Sequence, residues 1–125
     1  MTQKIGLIGS DSSHVERFTE ILNVDDHPAY WPDSGARVWS IWGEDPQRTR
    51  DAADRGRIPM VGSSPEQVVD QSDMVFVVAR HGGLRLDHAK PVIAAGKPLF
   101  VDKPFTQTPD QARALISLVE ESGIP

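Results

Sequence analysis

Five short apolar runs alternate with five stretches of helical period along the chain. The runs are residues 4–8, 37–42, 58–61, 74–79 and 98–101. Between them, Val15, Phe18, Ile21 and Leu22 share one face of a helix over 13–23, and Val68 and Val69 point inward from a helix opening at Ser64-Pro65-Glu66. Ala112, Leu115, Ile116 and Val119 follow the i, i+3, i+4, i+7 spacing of a last amphipathic helix. The run Met74-Val75-Phe76-Val77-Val78-Ala79 does not alternate, which is the pattern of a strand buried on both faces. Alternating strands and helices predict an α/β fold. It is a Rossmann-like, doubly wound parallel sheet in three αβα layers, and right-handed crossovers give the strand order 3-2-1-4-5.

Local chemistry refines the boundaries. Ser13 followed by Glu16 fits a capping box at the head of the first helix. Asp45-Pro46 supplies an N-cap and a proline at the first helical position of the second helix, over 46–55, with Gly56 ending it. That helix is polar almost all round and is expected on the surface. Pro59 cannot donate to a ladder, which places the third strand near an edge. A fourth helix over 84–95 stops at Gly96, and Thr108-Pro109-Asp110 caps the last one. Residues 25–35 carry two prolines and a glycine without periodicity and read as a loop. Tyr30 and Trp31 in that loop are expected to cover core edges, and Trp39 and Trp42 to pack under helices.

Composition narrows the class. The 125 residues make one domain with a net charge of −5 and no basic block, so nucleic acid is not an expected partner. No cysteine is present, and the histidines follow no metal-ligand spacing. No apolar run approaches the roughly 20 residues of a membrane span, so no membrane partner and a cytoplasmic location are expected.

In such a sheet, ligands sit beyond the carboxyl ends of the strands, here near Gly9, Gly43, Arg80 and Lys103. The dinucleotide form of the first turn reads G-x-G-x-x-G; this chain reads Gly9, Ser10, Asp11, Ser12, Ser13, His14, with the first glycine alone retained. The N–H groups at the following helix suit a phosphate, and the hydroxyls of Ser10, Ser12 and Ser13 are placed either to bind it or to cap the helix. Asp11 would face and repel a pyrophosphate unless it turns away. His14 is either a ligand contact or a hydrogen-bonded structural histidine. An acid that binds a ribose is expected at the end of the second strand, where Gly43 stands; Glu44 follows one position later. Arg80 and His81, after the fourth strand, could compensate for Asp11 or bind an anion.

The stretch Gly96-Lys97-Pro98-Leu99-Phe100-Val101-Asp102-Lys103-Pro104-Phe105 resembles the A-G-K-x-V-x-x-E-K-P motif of the Gfo/Idh/MocA (glucose-fructose oxidoreductase / inositol dehydrogenase) family. The resemblance runs through essentially the whole chain. The opening Gly-Ser-Asp-Ser-Ser-His-Val is similar to a branch of oxidoreductases whose turn reads G-x-D-T-S-H. The resemblance implies an NAD or NADP cofactor and a sugar, cyclitol or related polyol as substrate. It also implies that Lys103 projects towards substrate and nicotinamide as the catalytic lysine, that Asp102 and Pro104 flank it at the substrate, and that the Lys103–Pro104 peptide is often cis. Asp102 is one methylene shorter than the family's glutamate. Family members carry a second α+β domain with most of the substrate pocket, so residues 1–125 are expected to be a cofactor domain that does not turn over substrate alone. Its uncovered apolar surface is then expected to self-associate. Two other readings fit the altered turn: a non-catalytic Rossmann-like binding or sensor module without dinucleotide, and, more weakly, a receiver-like or flavodoxin-like domain.

Overall fold

The computed structural model describes residues 2–80, 83 and 85–125. Ten elements follow in chain order: β1 (Gln3–Ile8), α1 (Ser13–Leu22), β2 (Ala36–Trp42), α2 (Pro46–Gly56), β3 (Met60–Val61), α3 (Pro65–Asp70), β4 (Met74–Val77), α4 (Arg85–Ala94), β5 (Leu99–Val101) and α5 (Pro109–Ser122). The sheet is parallel throughout, in the order β3-β2-β1-β4-β5, as the alternation of runs predicts. β3 is an edge strand of two residues, consistent with Pro59 just before it.

The sheet separates two apolar clusters. Ile5, Leu7, Val15, Val38, Ile41, Ala52, Ala53, Ile58 and Val78 form the cluster beneath α1 and α2. Ile8, Val68, Val69, Val75, Val77 and Val92 form the one beneath α3 and α4, and α5 packs beside α4. Val75 and Val77 of β4 enter the second cluster while Met74 and Phe76 pack partly buried against the first, so both faces of the strand are apolar and the run 74–79 shows no alternation. Burying a valine, leucine or isoleucine fully contributes about 1.5–3 kcal/mol, so these clusters dominate the fold's stability.

Four local expectations change. Ser12, not Ser13, is the N-cap of α1, and its Oγ accepts the N–H of His14 at 3.1 Å. A capping box would then need its acid at residue 15, which is the buried Val15; Glu16 lies instead 3.5 Å from Arg55 on α2. Gly56 is the last helical residue of α2 and not its cap: Arg57 takes the left-handed cap position at φ 52°, and Gly56 packs against Thr19 of α1. The polar helix α2 docks through small residues, with Thr49, Ala52, Ala53 and Gly56 buried, a pattern that hydrophobicity alone does not mark. Trp31 is 58% exposed and covers no core edge. The loop that carries it is tied by Arg57, whose guanidinium meets Asp25 at 2.6 Å and Asp26 at 2.9 Å.

Asn23 closes α1 onto its neighbours. Its buried amide donates to the carbonyls of Val38 at 2.8 Å and Gly56 at 3.0 Å, while Oδ1 accepts the N–H of Val38 at 2.9 Å. Asn23→Ala strands these buried backbone groups. It is expected to cost about 2–3 kcal/mol in urea unfolding, and a loss within experimental error would show that water replaces the side chain.

Candidate functional site

The carboxyl ends of β1, β2, β4 and β5 meet over α1, and each chain segment there is fixed by a specific contact. At the end of β1, Gly9 has φ +114°, its N–H donates to the carbonyl of Trp42 at 2.7 Å, and a Cβ on it would lie 2.4 Å from the backbone nitrogen of Ala79. Only glycine lets the turn press this closely against β4. At the end of β2, Gly43 has no room for a side chain: a Cβ would meet Ser10 Oγ at 1.9 Å and Thr49 Oγ1 at 2.6 Å. Ser10 is buried, and its Oγ accepts a hydrogen bond from Thr49 at 2.9 Å. The space that a side chain at position 43 would need is taken by this serine–threonine pair, and Glu44 is the first residue of the segment free to reach outward.

Asp11 turns aside. Its Oδ1 accepts the backbone N–H of Arg80 at 2.8 Å, so the anticipated compensation comes from the peptide of Arg80 and leaves that residue's guanidinium unengaged by Asp11. Arg48, in the first turn of α2, donates from Nη2 to the carbonyl of Asp11 at 3.3 Å.

The end of β5 is held from two sides. His14 Nδ1 pairs with Asp102 Oδ2, and Asp102 Oδ1 accepts the N–H of Lys103 at 2.8 Å. The Lys103–Pro104 peptide is cis, as the motif resemblance implies. Arg85, the first residue of α4, is fully buried. Its Nε donates to the carbonyl of Pro104 at 3.1 Å, Nη1 to that of Val77 at 2.9 Å and Nη2 to that of Lys103 at 3.2 Å. Burial lowers the Arg85 pKa from its ordinary value, and the negative charges of Asp102 and Asp11 oppose that shift. The guanidinium therefore stays charged, with carbonyls filling its donor sites.

Two cavities open on this platform. One, of about 180 Å³, is walled by Gly9, Ser10, Trp42, Glu44, Ala79 and His88, with Asp11, Asp45 and Arg48 at its border. His88 is buried, stands edge-on to Trp42 with ring centroids 5.7 Å apart, and its Nδ1 has no hydrogen-bond partner among the described residues. The other, of about 340 Å³, is lined by Asp11, Ser12, Ser13, His14, Arg48, Arg80, Lys103 and Pro104. Asp11 and Arg48 belong to both, so the cavities adjoin.

The structure thus brings Gly9, Ser10, Asp11, Ser12, Ser13, His14, Glu44, Arg80, Asp102, Lys103 and Pro104 to one end of the sheet. His81 lies outside the described residues. Sequence reasoning missed Arg48, Arg85 and the depth of His88. Arg48 had a signal, since a residue three after the Asp45 cap faces the strand ends. Arg85 had none, because an arginine in a helix's first turn reads as solvated.

The oxidoreductase family GFO_IDH_MocA, NAD-binding Rossmann fold, matches residues 4–124. The chain belongs to this family. Inositol 2-dehydrogenase of Burkholderia vietnamiensis is 31% identical over 121 residues, covering 93% of this chain and 33% of that protein. The enzyme of the same name from Paracoccus denitrificans is 28% identical over 130 residues, covering 98% and 35%. Among solved structures, myo-inositol dehydrogenase from Lactobacillus casei in complex with NAD(H) and myo-inositol aligns with a TM-score of 0.79 at 21% identity, covering 97% of this chain and 34% of that one. UDP-N-acetylglucosamine 3-dehydrogenase from Acidithiobacillus ferrooxidans aligns with a TM-score of 0.78 at 18% identity, covering 99% and 36%. These structures show the shared fold. The chain spans about a third of the length of the relatives it matches. Family membership supports the oxidoreductase reading over the sensor module. Among the described residues no helix is long and apolar enough to cross a membrane.

His88 gives a test of the platform. Burial pushes its pKa below the ordinary histidine value, with Glu44 pulling the other way. Above about pH 6.5 the ring is neutral in both folded and unfolded chains; below it, the unfolded chain takes up a proton that the folded one refuses, and stability falls. His88→Gln is expected to flatten the loss of stability between pH 7.5 and 5.5, measured by urea unfolding. Equal losses in variant and parent would assign the effect to other groups.

Proposed function

We propose that this chain is the cofactor domain of an NAD(P)-dependent oxidoreductase that oxidises a hydroxyl of a cyclitol, sugar or related polyol. The observation that carries the reading is the placement of Lys103. It follows a buried aspartate and lines the same cavity as the turn after β1. The residues fit a dinucleotide. Gly9 and the buried His88 line a cavity that Trp42 and Glu44 also wall. That cavity suits an adenosine, with Glu44 as acceptor for ribose hydroxyls. The cavity at Lys103 suits the other end of the molecule.

A bound nicotinamide supplies the hydride acceptor. Lys103 would donate from Nζ to the reacting hydroxyl oxygen and stabilise the charge that grows there as a base contributed by the second domain takes the hydroxyl proton. Asp102 and Arg85 hold the peptide on each side of Lys103, so its stem starts from a fixed point. Asp102 also fixes the ring of His14 beside that cavity. Completion of the substrate pocket, and turnover, need a second domain of the kind the family resemblance implies. NADH titration of the chain, followed by Trp39 and Trp42 fluorescence and by calorimetry, is expected to saturate below about 1 mM. Gly9→Val should abolish binding and Lys103→Ala should leave it unchanged. No saturation from a folded chain would overturn the reading.

The outer side of β5 and α5 supports self-association. Phe100 is 46% exposed, Ile116 48% and Phe105 39%, and an apolar groove runs between Leu99, Val101, Leu115 and Val119. Sedimentation velocity is expected to show dimers or larger species as concentration rises. A single monomer boundary at every concentration would rule this out.

A further inference from the structure

Asp11 and Arg48 line both cavities, so a ligand that occupies the two lies against these residues. In the glycine form of the turn, backbone N–H groups meet the pyrophosphate there. In this chain two of the donors at the turn and helix start are already used: Ser12 Oγ takes the N–H of His14, and the carbonyl of Ser12 takes that of Val15 at 3.2 Å. A carboxylate stands where a glycine would be.

The cations around the cavity supply the missing charge. Among the described residues, Arg17, Arg55, Arg57, Lys90 and Arg113 each pair with a carboxylate. Arg48, Arg80 and Lys103 form no salt bridge with a described residue, and all three line the one cavity of about 340 Å³. In a chain of net charge −5, three cations gathered against the single carboxylate of Asp11 leave this wall with a surplus of positive charge. Arg48 belongs to α2 and Arg80 to the segment that follows β4, so the two reach this cavity from different elements.

We propose that Arg48 and Arg80 form a guanidinium clasp that binds the pyrophosphate of the dinucleotide in place of the absent glycine turn. A guanidinium offers paired N–H donors in the geometry of phosphate oxygens, so two can replace several backbone amides. Asp11 is held away by the peptide of Arg80 and weakens the clasp through its charge. Lys103 remains for the reacting hydroxyl. The clasp rests on the cofactor reading above.

Calorimetry of the full chain with NADH, NADPH and ADP-ribose, at low and high salt, tests it. Arg48→Gln and Arg80→Gln are each expected to weaken NADH and ADP-ribose alike, by roughly tenfold, as loss of one charge-assisted contact implies. Both should reduce the salt dependence of binding. Asp11→Asn should tighten binding, and Arg17→Gln, on the far side of α1, should change nothing. All of these residues are exposed or half-buried, so circular dichroism should show every variant folded. Unchanged NADH affinity in both arginine variants would overturn the clasp and leave the cofactor reading standing. So would an Arg48→Gln effect confined to NADPH, because Arg48 would then read a ribose phosphate. Failure of the parent chain to bind any of the three ligands would overturn both.

Discussion

Arg85 is the contact on which the site's geometry depends. A fully buried guanidinium must fill its donor sites, and here three carbonyls do so from two segments: Val77 at the end of β4, and Lys103 and Pro104 beyond β5. The buried carboxylate of Asp102 opposes the lowering of its pKa without touching it, and binds His14 at the head of α1. The chain of contacts thus runs from α4 through the end of β5 to α1 and fixes Lys103 between them. A buried ionic network of this kind adds little net stability compared with apolar packing, because desolvation offsets the attraction. What it contributes is position: each partner lost would leave another buried and unanswered, so no alternative arrangement of the segment is cheap.

The turn after β1 shows a different solution to the same constraint. A Rossmann turn must bring β1, β2 and β4 close enough for a ligand to lie across their ends. Glycines do this by removing side chains. Here Gly9 keeps that role where it meets the backbone of Ala79, while Gly43 leaves room for the side chain of Ser10, which hydrogen-bonds Thr49 of α2. The turn is therefore built from polar side chains that satisfy one another. That explains why the absence of an acid at residue 43 and the presence of Ser10 belong together: the first makes room for the second.

Strand order, helix faces and the family were legible in the sequence because each rests on repetition. The period of two or 3.6 is written many times, and Gly96 to Pro104 is a long motif. The misread features are single contacts between distant residues. Ser12 rather than Ser13 caps α1 because of how the chain leaves Gly9, which no local pattern records. The docking of α2 through Thr49, Ala52, Ala53 and Gly56 is invisible to a hydrophobic period, since the helix reads as polar. Trp31 is large and apolar yet exposed, because its loop is held by the pairs of Arg57 with Asp25 and Asp26 and not by burial. At the site, the residues at strand ends could be located from the topology, whereas the burial of Arg85 and the unpartnered Nδ1 of His88 follow from packing alone.

Charge divides along the same line between framework and surface. The ionic groups that fix the backbone, Arg85 and Asp102, are buried and hydrogen-bonded, the first to carbonyls and the second to His14 and the N–H of Lys103. Those that face the larger cavity, Arg48, Arg80 and Lys103, are exposed and have no carboxylate partner among the described residues. An exposed unpaired cation costs the fold little, since water solvates it, and it retains its donors for a ligand. Placing such groups on a rigid base requires that the base be held by something else, and the buried network supplies that. The result is a local excess of positive charge on an acidic protein, which attracts an anion to the strand ends and leaves the rest of the surface to repel it.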